Sequence, residues 1–122
     1  MSVLDFSVNT AALGADSFIV TVSGEVDLHT APAIEQALEG VLGLGGTSVV
    51  VDLLEVSFVD STTLHVLLRY HERFRGLGGD LVIATEDRRI LRTFEITGLD
   101  RVFVIEQRLA DAVATVMTGD PV

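Results

Sequence analysis

One stretch in the middle of the chain constrains the fold more than any other. It opens with Val-Val-Val at residues 49–51, a β-branched run typical of a strand buried on both faces. Apolar residues at helical spacing follow at residues 64–68, so an element of a different period begins nearby. Between the two lies Asp-Ser-Thr-Thr, a pattern that predicts a helix start with Asp60 as the N-cap. The stretch therefore joins a buried strand to a helix.

Ser61 is the leading candidate for a functional residue. An N-cap at Asp60 places the Ser61 hydroxyl at the start of the helix, where unpaired backbone N–H groups and the helix dipole favour an anion. A phosphate added to Ser61 would therefore be partly stabilised by its own chain. Thr62 and Thr63 are alternative acceptors. A serine in this position can also serve only to satisfy a backbone N–H, which is the structural alternative.

The rest of the chain alternates strands with helices. A turn at residues 13–16 joins the first two predicted strands into a hairpin. The predicted strands cover residues 3–8, 18–22, 48–53, 81–84 and 102–105, and the predicted helices cover residues 31–42, 61–75, 89–96 and 109–117. This order predicts a single α/β domain over residues 1–122. The hairpin leads into a mixed, mostly parallel sheet of about five strands, with about four helices packed on it.

Composition excludes several classes of function. The net charge is −10, and all eight basic residues are Arg, so the chain repels nucleic acids and anionic membranes, and we predict neither as a partner. The absence of Lys excludes a P-loop, Schiff-base chemistry and the phosphoryl site of a receiver domain, for which Asp52 would otherwise be the acceptor. We find no signal peptide and no apolar run near the roughly 18 residues of a membrane span, so we expect a cytoplasmic protein.

An enzyme active site or a metal site is not supported by the sequence. Ser61 and His65 are four residues apart on one predicted helix, but no acid is placed to orient His65. The Gly-x-Ser-x-Gly pattern of Ser hydrolases is also missing, because Val59 and Thr63 occupy the two Gly positions. The chain has no Cys, and its three His residues are dispersed. We therefore predict no catalytic residues, no metal and no cofactor, and expect His71 to lie in the core.

The helix after Asp60 has two faces on a helical wheel. The face expected to point at the sheet consists of Leu64, Leu67, Leu68, His71 and Phe74. The opposite face consists of Thr62, Val66, Arg69 and Arg73. An exposed Val66 beside two Arg side chains predicts a partner-binding surface. The alternative is a solvated face that carries one apolar residue.

Three separated segments carry a resemblance to a known family. Asp-Ser-Thr-Thr-Leu at residues 60–64 resembles the Asp-Ser-Ser/Thr-Gly-Leu segment of the STAS domain of bacterial anti-sigma-factor antagonists. Gly-Glu-Val-Asp at residues 24–27, followed by Thr-Ala at 30–31, resembles the segment after the second strand of that domain. Thr-Gly-Leu-Asp-Arg-Val-Phe at residues 97–103 resembles its link to the last strand. The chain departs from the family at Thr63, where Gly is usual.

The resemblance implies a partner switch rather than an enzyme. Family members bind an anti-sigma factor that is also an ATP-dependent serine kinase, and this binding frees the sigma factor. The kinase phosphorylates the Ser that matches Ser61, the complex dissociates, and a phosphatase resets the protein. An acidic residue at the position of Asp27 lies near this Ser in the family. The residues that the two arguments together assign to the partner surface are Asp27, Asp60, Ser61, Thr62, Thr63, Val66, Arg69 and Arg73.

Thr63 leaves a second interpretation open. A β-branched side chain in place of Gly could weaken kinase docking, move the acceptor, or have no effect. The alternative function is a STAS domain that is not phosphorylated and serves as a structural or small-ligand-binding subunit of a larger regulatory or transport assembly.

Overall fold

The computed structural model describes residues 6–118. Its elements in chain order are β1 (Ser7–Ala12), β2 (Ser17–Val26), α1 (Ala31–Gly43), β3 (Ser48–Val59), α2 (Ser61–Gly76), β4 (Leu81–Ala84), α3 (Arg88–Thr97), a 3₁₀ turn (Leu99–Arg101), β5 (Val104–Glu106) and α4 (Leu109–Thr118). The predicted α/β fold is confirmed. The predicted first strand began at residue 3, and its first three residues lie outside the described residues. None of the helices in residues 6–118 is long and apolar enough to cross a membrane.

The five strands stand in the sheet in the same order as in the chain. β1 pairs with β2 antiparallel, and the pairs β2–β3, β3–β4 and β4–β5 are parallel. The helices α1, α2 and α3 connect β2 to β3, β3 to β4 and β4 to β5, so each connection leads to the next strand in the same direction across the sheet. Because such crossovers are right-handed, the three helices are expected on one face of the sheet. The hydrophobic contacts agree, since α1, α2 and α3 share one core cluster while α4 packs on the other face.

β3 is the central strand and is buried on both faces, as its sequence predicts. Val49, Val51 and Leu53 belong to the core cluster beneath α1, α2 and α3. Val50 points the other way and packs with Ala112 and Val116 of α4. The side-chain alternation of a strand therefore supplies both halves of the core from one short apolar run.

β3 is longer than predicted. Its sequence pattern indicated an end at residue 53, but the strand continues to Val59 because β2 pairs with it as far as Val26. The pairing shifts register twice along this section, next to Gly24, whose φ of 98° is a conformation that favours glycine. β4 ends opposite Asp52, so the last part of β3 extends beyond β4 with β2 as its neighbour. This extension carries the chain out to Asp60.

Smaller differences lie at the ends of other elements. β5 covers residues 104–106 rather than 102–105, because the 3₁₀ turn holds the backbone immediately before it. Thr30 directly precedes α1, but its hydroxyl does not cap the helix and instead accepts a hydrogen bond from the N–H of Asp27 at 2.8 Å.

β3 and β4 begin side by side, at the end of the sheet opposite to Asp60, and their backbones approach closely there. The N–H of Val49 donates to the carbonyl of Asp80, and the N–H of Asp80 donates to the Ser48 hydroxyl at 3.2 Å. Gly79 lies against this contact, and a Cβ atom there would stand only 1.6 Å from the carbonyl oxygen of Thr47. The backbone of residue 79 therefore has no room for a side chain.

His71 is largely buried, as expected of a core histidine. Its ring packs edge-on against Phe103 with the centroids 5.0 Å apart, and only 12% of its side chain is exposed. Burial lowers the pKa of His71, and the Asp80 carboxylate nearby opposes that shift.

Candidate functional site

The candidate site lies where β2 and β3 end side by side. The register pairs Val26 with Val59, so Asp27 and Asp60 follow directly from two neighbouring positions. The carboxyl ends of parallel strands are where α/β proteins commonly place their functional residues. The structure thus brings Asp27 to the same end of the sheet as Asp60 and Ser61, although Asp27 and Asp60 are 33 positions apart in the chain.

Asp60 caps α2, as predicted. Its backbone is extended, with φ −95° and ψ 176°, and its Oδ1 accepts the N–H of Thr63 at 3.0 Å. The same oxygen also accepts the Thr63 hydroxyl at 3.0 Å. One carboxylate oxygen therefore accepts both the backbone N–H and the side-chain hydroxyl of Thr63, and this fixes the first turn of the helix.

Ser61 is the exposed residue of the first turn of α2. The first N–H groups of a helix have no partner within it, and Asp60 takes only the one at Thr63. The N–H groups of Ser61 and Thr62 therefore lie unpaired within α2, at the positive end of its dipole. Thr62 is half-buried. An anion on the Ser61 hydroxyl would lie close to these donors.

Two residues predicted for the partner surface are buried, and that part of the prediction is wrong. Thr63 is 0% exposed and Val66 is 4% exposed. The helical wheel assumed that α2 buries one face against the sheet, but α1 packs beside α2 and covers a second arc. The buried residues of α2 are Thr63, Leu64, Val66, Leu67, Tyr70 and Phe74. Thr63 thus points into the protein at the position where the family usually has Gly.

Arg69 and Arg73 form ion pairs with α1, although both side chains remain about half exposed. Arg69 donates to Glu35 at 2.7 Å, and Arg73 pairs with Glu39. The Tyr70 hydroxyl donates to the same Glu39 carboxylate at 2.7 Å. We call these five residues the α1–α2 polar seam. The seam was not predicted from the sequence, although the two Glu and the two Arg share a four-residue spacing that could have indicated two facing helices.

The polar seam predicts an unusual titration of Tyr70. Burial and the hydrogen bond to Glu39 together raise the pKa of Tyr70 to about 12, from an ordinary value near 10. The chain has one Tyr and no Trp, so phenolate absorbance reports on this residue alone. We expect the pKa to fall in Glu39→Gln and to return to about 10 in urea. Glu35→Gln is the matched control and should lower the pKa less, because Glu35 acts on Tyr70 only through its charge.

The sign of this shift fixes how stability depends on pH. Since folding raises the pKa of Tyr70, its contribution to the free energy of unfolding is complete below about pH 10 and is lost between about pH 10 and 12. A Tyr70 pKa near 10 in the folded protein would contradict the structure of the seam.

Asp27 holds the turn between β2 and α1. Its Oδ1 accepts the N–H of His29 at 2.9 Å and the N–H of Thr30 at 3.2 Å. These bonds form a local turn of the kind that Asp side chains commonly make. The side chain is half-buried, so it also retains a surface that a partner could contact.

A cleft of about 290 Å³ opens beside the extended end of β3. One wall is formed by residues 57–59, and the other by Arg89, Ile90 and Thr93 of α3. Phe58 is 52% exposed here, a large aromatic surface for a residue two positions before Asp60. The cleft was not predicted from the sequence, because the pattern of β3 indicated an end at residue 53, before the residues that line it.

The capping contact makes a testable prediction about stability. Asp60→Ala removes the acceptor of the Thr63 N–H and of its buried hydroxyl, so we expect it to lower the free energy of unfolding by about 2 kcal/mol. Thr63→Val keeps the shape and loses only the hydroxyl, and should cost about 1 kcal/mol. Ser61→Ala is the control and should change little. Urea unfolding measures all three, and an Asp60→Ala cost no larger than that of Thr63→Val would refute the double role of the carboxylate.

The sequence also raised a Ser hydrolase site and a metal site. His65 is exposed, and in the part of the chain that the structure describes no acidic side chain forms an ion pair with its imidazole. Within residues 6–118, no group of three or more His, Cys, Asp or Glu side chains is placed to hold a metal ion.

Comparison with known proteins gives concordant matches over most of the chain. The family model of the STAS domain matches residues 9–112. An anti-sigma-B factor antagonist of Listeria monocytogenes is 34% identical over 103 residues, which cover 84% of this chain and 90% of that protein. The anti-sigma-F factor antagonist RsfB of Mycobacterium tuberculosis is 31% identical over 101 residues, covering 83% of this chain and 82% of that one.

The fold agrees with a solved structure of similar sequence. The crystal structure of an anti-sigma factor antagonist from Mycobacterium paratuberculosis matches with a TM-score of 0.83 and 30% identity. The match covers 92% of this chain and 94% of the other. Sequence and structure therefore agree on one set of relatives.

Proposed function

This chain belongs to the STAS domain family, among relatives that are anti-sigma factor antagonists, and on that premise we propose that phosphorylation of Ser61 switches its binding. In the proposed cycle the unphosphorylated chain binds an anti-sigma factor and so releases a sigma factor in the cytoplasm. The anti-sigma factor is also a serine kinase and transfers phosphate from ATP to Ser61. The complex then dissociates, and a phosphatase restores the binding form.

The observation that carries the proposal is the position of Ser61. It is the first residue of α2, its side chain is exposed, and Asp60 holds the turn beneath it. Of the three neighbouring hydroxyl residues, Thr62 is half-buried, and Thr63 is buried and donates to Asp60. A kinase can therefore reach Ser61 without opening the helix, whereas reaching Thr63 would require the cap to break.

The size of the charge change is sufficient for a switch. Phosphate adds about −1.5 to −2 charges at neutral pH, next to Asp60 and on a chain of net charge −10. Weakening a complex a hundredfold takes about 2.7 kcal/mol. A single like-charge contact at about 4 Å is worth about 4 kcal/mol at an effective dielectric constant near 20. One new contact with an acidic group of the partner is enough.

The change should stay local. The unpaired N–H groups of Ser61 and Thr62 would bind the phosphate where it is formed, so α2 keeps its cap and its packing. The proposed partner surface accordingly consists of Asp27, Asp60, Ser61 and Thr62, with the exposed outer parts of Arg69 and Arg73 beside it.

Phosphosite mapping tests this function. Mass spectrometry of the protein from its own organism, with and without phosphatase treatment, should find phosphate on Ser61. Phosphate on Thr63 alone would refute the assignment, since that hydroxyl is buried. An unmodified Ser61 under several growth conditions, in a protein that co-purifies with a larger assembly, would favour the structural or ligand-binding alternative.

A further inference from the structure

The start of α3 carries an unusual concentration of positive charge. Three of the eight Arg residues of this acidic chain lie at positions 88, 89 and 92, within the first five residues of α3. All three are exposed. Of these three Arg side chains, only Arg89 has an ion pair with another of residues 6–118, namely with Asp87 at 3.2 Å. Arg88 and Arg92 therefore present free guanidinium groups to the solvent.

This arrangement is unfavourable for the helix itself. Positive charge in the first turn opposes the helix dipole, and α3 has no acidic residue in that turn. Arg88 and Arg92 are also four residues apart, a spacing at which like charges repel. Asp87 caps the helix through the N–H groups of Arg89 and Ile90, and its other oxygen is engaged by Arg89. Sequences that break local preferences in this way commonly do so at functional sites.

A cleft with one exposed aromatic side chain adjoins the positive charge. Arg89, Ile90 and Thr93 form one wall of the cleft described above, and the rest of its lining is Phe58 with Ser57, Val59 and Glu25. Phe58 is the exposed apolar side chain of this lining, since Val59 and Ile90 are buried. Phe58 is followed two residues later by Asp60, so the cleft lies at the same end of the sheet as Ser61. Arg89 and the exposed Phe58 therefore line the same cleft, at the end of the sheet that carries the proposed phosphorylation site, and Arg88 and Arg92 lie beside Arg89 on α3.

We propose that this surface, formed by Arg88, Arg89, Arg92, Thr93 and Phe58, docks an acidic segment of the anti-sigma factor, with an apolar side chain of that segment against the Phe58 ring. The inference rests on the proposed function for the identity of the partner. Its chemistry rests on charge complementarity: an acidic segment matches the Arg side chains, and an apolar anchor matches the exposed ring of Phe58. A nucleic acid would meet the strong negative charge of the remaining chain, whereas a short segment contacts the positive surface alone.

The test is a matched pair of charge reversals. Arg88→Glu/Arg92→Glu alters the proposed surface, and Arg101→Glu/Arg108→Glu makes the same change in net charge at two exposed Arg residues outside it. Calorimetry with the purified anti-sigma factor should show about tenfold weaker binding for the first variant and little change for the second. Equal weakening by both, or none by the first, would overturn the proposal.

A partner-independent measurement separates this proposal from the proposed function. The isotope-labelled protein is titrated with a short peptide in which a run of glutamates follows one phenylalanine, and backbone amide shifts are recorded. Shifts at Phe58 and at residues 88–93 support the docking surface even if no anti-sigma factor binds. Equal shifts with the corresponding lysine peptide, stronger binding of a short oligonucleotide, or no shifts at these residues would overturn it.

Discussion

Replacing Ser61 by Glu is expected to weaken the complex with the anti-sigma factor about a hundredfold, or about 2.7 kcal/mol. The carboxylate adds a fixed negative charge at the start of α2, next to Asp60. A bound partner would exclude water from this site, so salt would screen the repulsion between the new charge and an acidic group of the partner only weakly. The fold should not suffer, because an acidic residue in the first turn interacts favourably with the helix dipole. Calorimetry or surface plasmon resonance with the purified partner measures the loss.

Two further variants control this experiment. Ser61→Ala should bind like the wild type and should stay bound in the presence of ATP, because no acceptor hydroxyl remains at that position. Thr10→Glu adds the same charge to an exposed position of the edge strand β1, away from α2, and should leave the affinity nearly unchanged. If Ser61→Glu bound as tightly as Ser61→Ala, a charge at this site would not act as the switch.

Gly79→Ala is expected to lower the free energy of unfolding by about 3 kcal/mol or more. The new Cβ would lie 1.6 Å from the Thr47 carbonyl oxygen, so the starts of β3 and β4 must move apart. That movement would stretch the hydrogen bond from Val49 to Asp80 that joins the two strands. Urea unfolding followed by circular dichroism measures the effect.

Gly76→Ala is the matched control for this variant. Gly76 ends α2 only three residues earlier, and a Cβ there would meet no atom within 4 Å. Alanine also has the higher helix propensity, so the change should be neutral or slightly stabilising. A similar cost for both variants would show that the close approach at Gly79 does not limit stability.

What the sequence predicted correctly was encoded locally. Residues 49–51 are apolar on both faces of a strand, and Asp60 caps a helix through a residue three positions away. Both patterns can be recognised without knowing the rest of the fold. The alternation of strands and helices along the chain then predicted a mixed, mostly parallel sheet, and the observed topology agrees with it.

What the sequence did not predict depends on distant partners. Val66 lies on the outward arc of α2 if only the sheet is considered, and it is buried because α1 packs alongside. The hydrogen bond from Tyr70 to Glu39 joins residues 31 positions apart. The end of β3 at Val59 is determined by its pairing with β2 rather than by its own residues. Each miss is a tertiary contact that overrode a local preference.

The strand order has a consequence for how the chain folds. Each strand from β2 onward pairs with the strand that precedes it, so no pairing has to wait for a remote segment. Folds dominated by contacts between nearby segments close smaller loops and fold faster than those with remote pairings. During synthesis the sheet can therefore grow one strand at a time from its N-terminal hairpin.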